Sequence, residues 1–183
     1  VARHQGIAAT SQAVLGLLEG AAGGTEAEGG TFAHYRGSDL SSPMDRGLSL
    51  YLHRIAVNAS RRAAVRLPLD LHYLLTAWAR DAVLQQRMLG WAASTLAHHP
   101  TLPATLLNHY GPEPDVFKPH ETVELLVASV SEQDAADIWE VAKAQRQPSL
   151  HYIARIIEIE PHEPPPEGAP VQVVEVDYAG AAG

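Results

Sequence analysis

Ten histidines and no cysteine set the first question for this chain: which of its side chains could do chemistry. Without cysteine there are no disulfides, thiolate nucleophiles, zinc–thiolate sites or iron–sulfur clusters. No histidine pair has the helical i, i+4 spacing, with an acid between, that metalloproteases use to hold zinc. His98 and His99 are adjacent and point in different directions; just before Pro100 they read as partners for the free carbonyls of a helix end. Asp70 and His72 stand two apart, on one face of an alternating stretch, where they could bond laterally. A general acid–base pair from these two is possible. A serine nucleophile would need a sharp Gly-x-Ser-x-Gly elbow, and none is present. The glycines between Gly20 and Gly30 lack phosphate-loop spacing and follow no apolar strand, so they read as a plain loop. No catalytic, cofactor-binding or metal-ligating residue is assigned.

The elements that must position these residues follow from hydrophobic periodicity. Ile7, Ser11, Val14, Leu15 and Leu18 form one stripe of a 3.6-residue period, a helix ended by Gly20-Ala21-Ala22-Gly23-Gly24. A short strand is expected over Thr31–Tyr35. Leu48, Leu50 and Leu52 alternate with Ser49, Tyr51 and His53 as a half-buried strand does. The apolar parity then flips to Ile55 and Val57, which means either a bulge or the end of the strand. Leu67–Trp78 is the strongest strand, with Leu67, Leu69, Leu71, Tyr73 and Leu75 on one face. Asp70, His72, Leu74, Thr76 and Trp78 are on the other, so both faces are at least partly covered and the strand is central. Asp81 caps a helix whose stripe is Leu84, Met88, Trp91, Ala92, Thr95 and Leu96. Leu102–Leu107 is expected as a short strand and His109–Pro119 as a Pro-rich loop. Val123, Leu125 and Val127 alternate in a further strand. Ser131, with Asp134 three residues on, caps a helix burying Ala135, Ile138, Trp139 and Ala142. After Pro148, Leu150, Tyr152, Ala154 and Ile156 face one way, and Ile153, Ile157 and Ile159 the other.

Helices and strands in this order imply an α+β fold, a largely antiparallel sheet flanked by helices on one face. The expected division is a domain over 1–160 and a Pro/Glu-rich, β-prone tail over 161–183. At 183 residues, with 46% hydrophobic and 19% charged residues, the chain can bury a real core. Thirteen Lys and Arg against 21 Asp and Glu leave a net charge of −8, with a pI near 5.6, which argues against general nucleic-acid binding. No apolar run reaches the roughly 20 residues a bilayer span needs, so no direct membrane insertion is expected, and the opening residues lack a signal peptide's apolar core. The candidates for contacting a partner are Arg61, Arg62 and Arg66 in the basic connection, Trp78 at a strand end, and Val171, Val173, Val174 and Val176 beyond the prolines.

Leu67-Pro68-Leu69-Asp70-Leu71-His72-Tyr73-Leu74-Leu75-Thr76-Ala77-Trp78, followed by Gln86-Arg87-Met88-Leu89-Gly90-Trp91-Ala92 and His98-His99-Pro100, resembles a small domain of contractile injection gene clusters. The stretch from Ser131-Glu132-Gln133 through Ile138-Trp139 to Pro148-Ser149-Leu150-His151-Tyr152 is similar to its second half. The likeness covers roughly residues 4 to 160. It implies a phage tail-terminator-like fold. The implied role is the structural cap, or tail terminator, at the baseplate-distal end of an extracellular-type contractile injection system. Such a cap ends inner-tube and sheath polymerisation and anchors the last sheath ring. The resemblance further implies a homo-oligomeric ring, a hexamer, with sheath and inner-tube proteins as partners. It implies no enzymatic activity, no cofactor and no nucleic acid, and assembly in the cytoplasm on a particle later released or membrane-anchored. Two readings stand beside it: a small hydrolase or transferase using Asp70 and His72, and another tube-associated connector protein.

Overall fold

A computed structural model describes residues 2–58, 67–111 and 113–159, apart from the side chain of residue 156. Among these, six strands form one sheet: β1 (Thr31–Tyr35), β2 (Gly47–Val57), β3 (Leu67–Trp78), β4 (Thr101–Pro103), β5 (Thr122–Val127) and β6 (Ser149–Ile159). The helices are α1 (Gly6–Gly20), α2 (Ala82–Ala97), α3 (Ala104–Tyr110) and α4 (Glu132–Val141), with a 3₁₀ turn at Gly37–Ser41. The sheet order is β1-β2-β3-β6-β5-β4. Every strand pair is antiparallel except β1–β2, which runs parallel through the connection holding the 3₁₀ turn. The α+β class and the mostly antiparallel sheet are therefore as expected.

The central place of β3 follows from its two faces. Leu69, Leu71, Tyr73 and Leu75 are buried against α1, α2 and α3, with Val14, Leu18, Met88, Leu96 and Leu107 opposite them. Each such Leu contributes on the order of 1.5–3 kcal/mol. The Tyr73 hydroxyl finds Ser11 Oγ at 2.8 Å, so it is not left bare in the core. Helix α1 carries no acid in its first turn and no base in its last, and it relies on this packing. Gly16 of α1 lies where the ring of Tyr110 from α3 crosses; a Cβ there would overlap the ring.

The second face of β3 is also covered, which amends the expectation of helices on one face only. Leu74, Trp78, Leu40 and Trp139 form a separate core cluster, closed by α4 and the 3₁₀ turn. Helix α4 reaches this side because Ser131 Oγ accepts a hydrogen bond from the Asp134 backbone N–H (3.0 Å) and so fixes where the helix starts. Asp81 Oδ1 does the same for α2, accepting from Leu84 N–H at 2.7 Å.

Two bulges settle the strand parities. β2 does not end at His53; it shifts register between Leu52 and Arg54, so Ile55 lies opposite Leu71 and Val57 opposite Leu69. A second shift between Leu69 and Asp70 pairs Leu69 with Ile157 and Asp70 with Arg155, skipping one residue of β6. Ile157 thus joins the first core, buried to 1% exposure, rather than facing away from Ala154. Residues 102–107 are not one strand: β4 stops at Pro103, and α3 occupies Ala104–Tyr110.

Candidate assembly interface

The surface features that could meet a partner are an apolar strip, a histidine-lined cleft and free sheet edges. The strip is made by the first bulge. It turns Ile55 and Val57 towards the same face as Leu69 and Leu71, but beyond the helices that cover that face. Ile55 and Val57 are each 49% exposed and Leu67 is 48% exposed, whereas Leu69 and Leu71 beside them are buried. On the other flank the backbone of Ala2 bridges Ile159 and covers that side of the sheet end. The strip therefore opens on the β2 side of the sheet end. At the outer edges, β4 is three residues long and ends in proline, a blunted edge. Among the described residues β1 is paired only with β2.

The cleft lies on the opposite face. His53, at the bulge, stands 6.1 Å, centroid to centroid, from both His72 of β3 and His151 of β6. With Arg54, the β5–α4 turn and Asp134 and Asp137 of α4, these rings line about 350 Å³. Burial, with His151, His72 and Arg54 nearby, pushes His53 down to about 4. His72 is lowered by burial and by Arg54, against an opposing pull from Asp70, and His151 by burial and by Arg146. The rings meet edge to face as neutral groups. Among the described residues no group of three or more His, Asp or Glu is placed to hold a metal ion.

Asp70 and His72 do share a face, as expected, but Asp70 is committed elsewhere. Both its oxygens accept from the Asn58 amide (3.1 and 3.3 Å), and Arg155 Nε lies 3.6 Å away. This arrangement ties Asp70 to the end of the sheet. His98 Nδ1–H donates to the Ser94 carbonyl at 2.6 Å, the helix-end role read for it above.

Trp78 is not at the surface. It is 6% exposed, packs edge-on against Trp139 at 6.3 Å, and donates its indole N–H to Ser49 Oγ at 2.8 Å. A large aromatic at a strand end suggested an interface; the partner that holds it inside is 29 positions back in the chain, invisible to local spacing. Arg61, Arg62 and Arg66 lie outside the described residues, as do Val171, Val173, Val174, Val176 and the division at residue 160. Sequence reasoning did not single out Ile55, Val57 and Leu67 as exposed. The signal was present in the parity flip after His53, which, read as a bulge, carries the apolar residues past the helical cover. Among the described residues no helix is long and apolar enough to cross a membrane.

Residues 9–173 match the sequence profile of the Pvc16 N-terminal domain. The fold is similar to that of a PVC sheath/tube terminator in the extended state, from an extracellular contractile injection system. That likeness has a TM-score of 0.58 at 16% identity and covers 96% of this chain and 64% of the other. A lesser likeness is to the tube-terminating cap of the anti-feeding prophage, with a TM-score of 0.42 at 16% identity over 73% of this chain and 50% of that one. This chain thus spans less than two thirds of the length of either solved relative. No curated protein is significantly similar in sequence.

Proposed function

The chain belongs to the Pvc16 N-terminal domain family, and from that premise we propose that it is the structural cap of a contractile injection system. It sits at the baseplate-distal end, stops inner tube and sheath from growing, and anchors the last sheath ring. The observation that carries this reading is the family match over residues 9–173, with a shared fold over 96% of the chain in support. Its role is to bind rather than to react, and Asp70 is held by Asn58 and Arg155.

A cap needs two kinds of surface, one for its neighbours and one for the structure it closes. Identical subunits in a ring meet through a heterologous interface that closes on itself. Six copies would match a sixfold tube, with sheath and inner-tube proteins as the other partners. Assembly takes place in the cytoplasm, on a particle then released or anchored. Val171, Val173, Val174 and Val176 serve to pair with an adjacent subunit or a sheath protein, so deletion from Pro161 onward is expected to leave the domain folded but impair assembly.

The test is to image gold-tagged protein on purified contractile particles, with light scattering on the protein alone. Label at the end opposite the baseplate, and overlong tubes in its absence, are expected. Label at the baseplate end would make it a connector instead, and no label with normal tube lengths would end the reading.

A further inference from the structure

Helix α4 sits between two hollows. On one side is the cleft of about 350 Å³ lined by His53, His72 and His151. On the other, about 550 Å³ opens between α4, Leu89 of α2 and the residues that lead into β6. Of its ten residues only Ala135 and Trp139 are buried, and Trp139 packs in the small cluster with Leu40, Leu74 and Trp78, apart from the main core. The helix can therefore leave the sheet without opening the core beneath α1 and α2. The segment is pinned at both ends. The Ala128 N–H donates to the His151 carbonyl at 2.8 Å, and Gln85 of α2 donates its amide to Gln147 Oε1 at 3.1 Å. Between those pins Arg146 donates to Glu132 at 2.9 Å, so residues 129–146 can move as one piece.

We propose that α4 is a flap released by proton uptake: His53, His72 and His151 stay neutral while it stands over them, and acid moves residues 129–146 off the sheet, uncovering Leu74 and Trp78. The cleft has little room for added charge. His53 stands 6.1 Å from both other rings, so a second proton meets the first at close range. His151 Nδ1 is buried with no hydrogen-bond partner among the described residues. A neutral ring can place its lone pair there; a protonated one would bury a bare N–H. The cations nearby, Arg54 of β2 and Arg146 behind α4, oppose protonation. Asp70 of β3 favours it at His72 but is shared with Asn58 and with Arg155 of β6. Asp134 and Asp137 face the cleft from α4, yet both are exposed and accept from Ser131 and Gln133. The remaining neighbours, the Tyr51 and Tyr152 rings, bring no countercharge. With α4 away the rings meet water and each can take its proton, so falling pH favours the open flap.

The test is amide hydrogen exchange of the full chain, read by mass spectrometry at about pH 7.5 and about pH 5 and corrected for intrinsic rates. His53 alone, going from about 4 under α4 to its ordinary 6.5 in water, sets a ceiling of about thirtyfold on the increase in opening. Protection of Glu132–Val141 should therefore fall about tenfold between the two conditions, while that of β3 holds. The triple variant H53Q, H72Q and H151Q should lose the response, changing less than about twofold. Linkage supplies a reciprocal measurement: if protons open α4, an opened α4 must raise the proton affinity of the rings. Trp139→Ala removes the side chain that seats the flap. In that variant, with β3 protection confirming a folded domain, the His53 ring should titrate by NMR at least about one pH unit higher than in the wild type. This measurement also stands in should the triple variant misfold. Protection of α4 that ignores pH, or that is lost together with that of β3, overturns the proposal. So does a triple variant that responds like the wild type, or a His53 midpoint that Trp139→Ala leaves unmoved.

Discussion

Replacing Trp78 by phenylalanine separates a core residue from an interface residue. The indole is 6% exposed, and its N–H is the donor to the buried hydroxyl of Ser49. Phenylalanine keeps an aromatic ring for Trp139 and Tyr35 but removes that donor. Ser49 Oγ, in a residue with no exposure at all, is left without it, at a cost of about 1–2 kcal/mol. The smaller ring also leaves a void between β3 and α4, costing about another 1–2 kcal/mol after partial collapse. The expected loss is therefore about 2–4 kcal/mol, a large share of the stability of a single domain. Urea unfolding followed by far-ultraviolet circular dichroism measures it without relying on tryptophan emission. At temperatures where the variant is folded, its assembly should match the wild type. A loss below about 0.5 kcal/mol, or weakened assembly with unchanged unfolding, would refute the placement of Trp78 in the core. A second variant, Ser49→Ala with Trp78→Phe, should cost less than the two changes added together, because the pair shares one hydrogen bond.

Acid should destabilise the protein in part through His53. Its folded value, about 4, lies below the ordinary 6.5, so the unfolded chain binds the extra proton first. Stability is full above about pH 6.5, falls as pH drops towards 4, and is flat below that as far as this group is concerned. After discounting for partial exposure, His53→Gln should reduce the loss between pH 7.5 and 4.5 by about 1 kcal/mol, read from urea midpoints at both values. Asp81→Ala removes the cap of α2 and should cost about 1 kcal/mol, while Asp81→Asn should cost little; thermal melts suffice to tell them apart. Gly16→Ala places a methyl group into the Tyr110 ring and should destabilise by about 1–3 kcal/mol, whereas Gly23→Ala, with open space around it, should stay within about 0.5 kcal/mol.

Local alternation was enough to find β2, β3 and the start of β5, because one buried face forces a period of two. The caps at Asp81 and Ser131 were legible for a similar reason: each bond closes within three residues. What failed to show was long-range or ambiguous in pattern. The parallel pairing of β1 with β2 depends on the path of the connection, which no periodicity records. The bulge in β6 falls in an isoleucine pair, where either residue could serve the core, so the shift to Ile157 left no trace. Residues 101–110 are apolar without a clear period, and the change from strand to helix at Ala104 is set by packing on α1. As for the site, the chemistry of Asp70 and His72 was visible as spacing, but the claims of Asn58 and Arg155 on Asp70 were not. The bulge at His53 was visible as one of two alternatives, and it is what sends Ile55 and Val57 out past the helices.

The placing of β6 between β3 and β5 bears on how the chain comes off the ribosome. β3 has its first partner, β2, immediately before it, but its second partner ends at Ile159, 81 residues after Trp78. At about 5–20 residues per second, synthesis takes roughly 4–16 s to deliver that partner. Through that interval the most apolar strand of the protein has one unsatisfied edge. Pairings this distant in sequence fold slowly and leave the nascent chain open to strand-edge aggregation. The described sheet closes only when β6 arrives. The order of synthesis thus withholds the strand that closes the sheet until the other described elements have all been made.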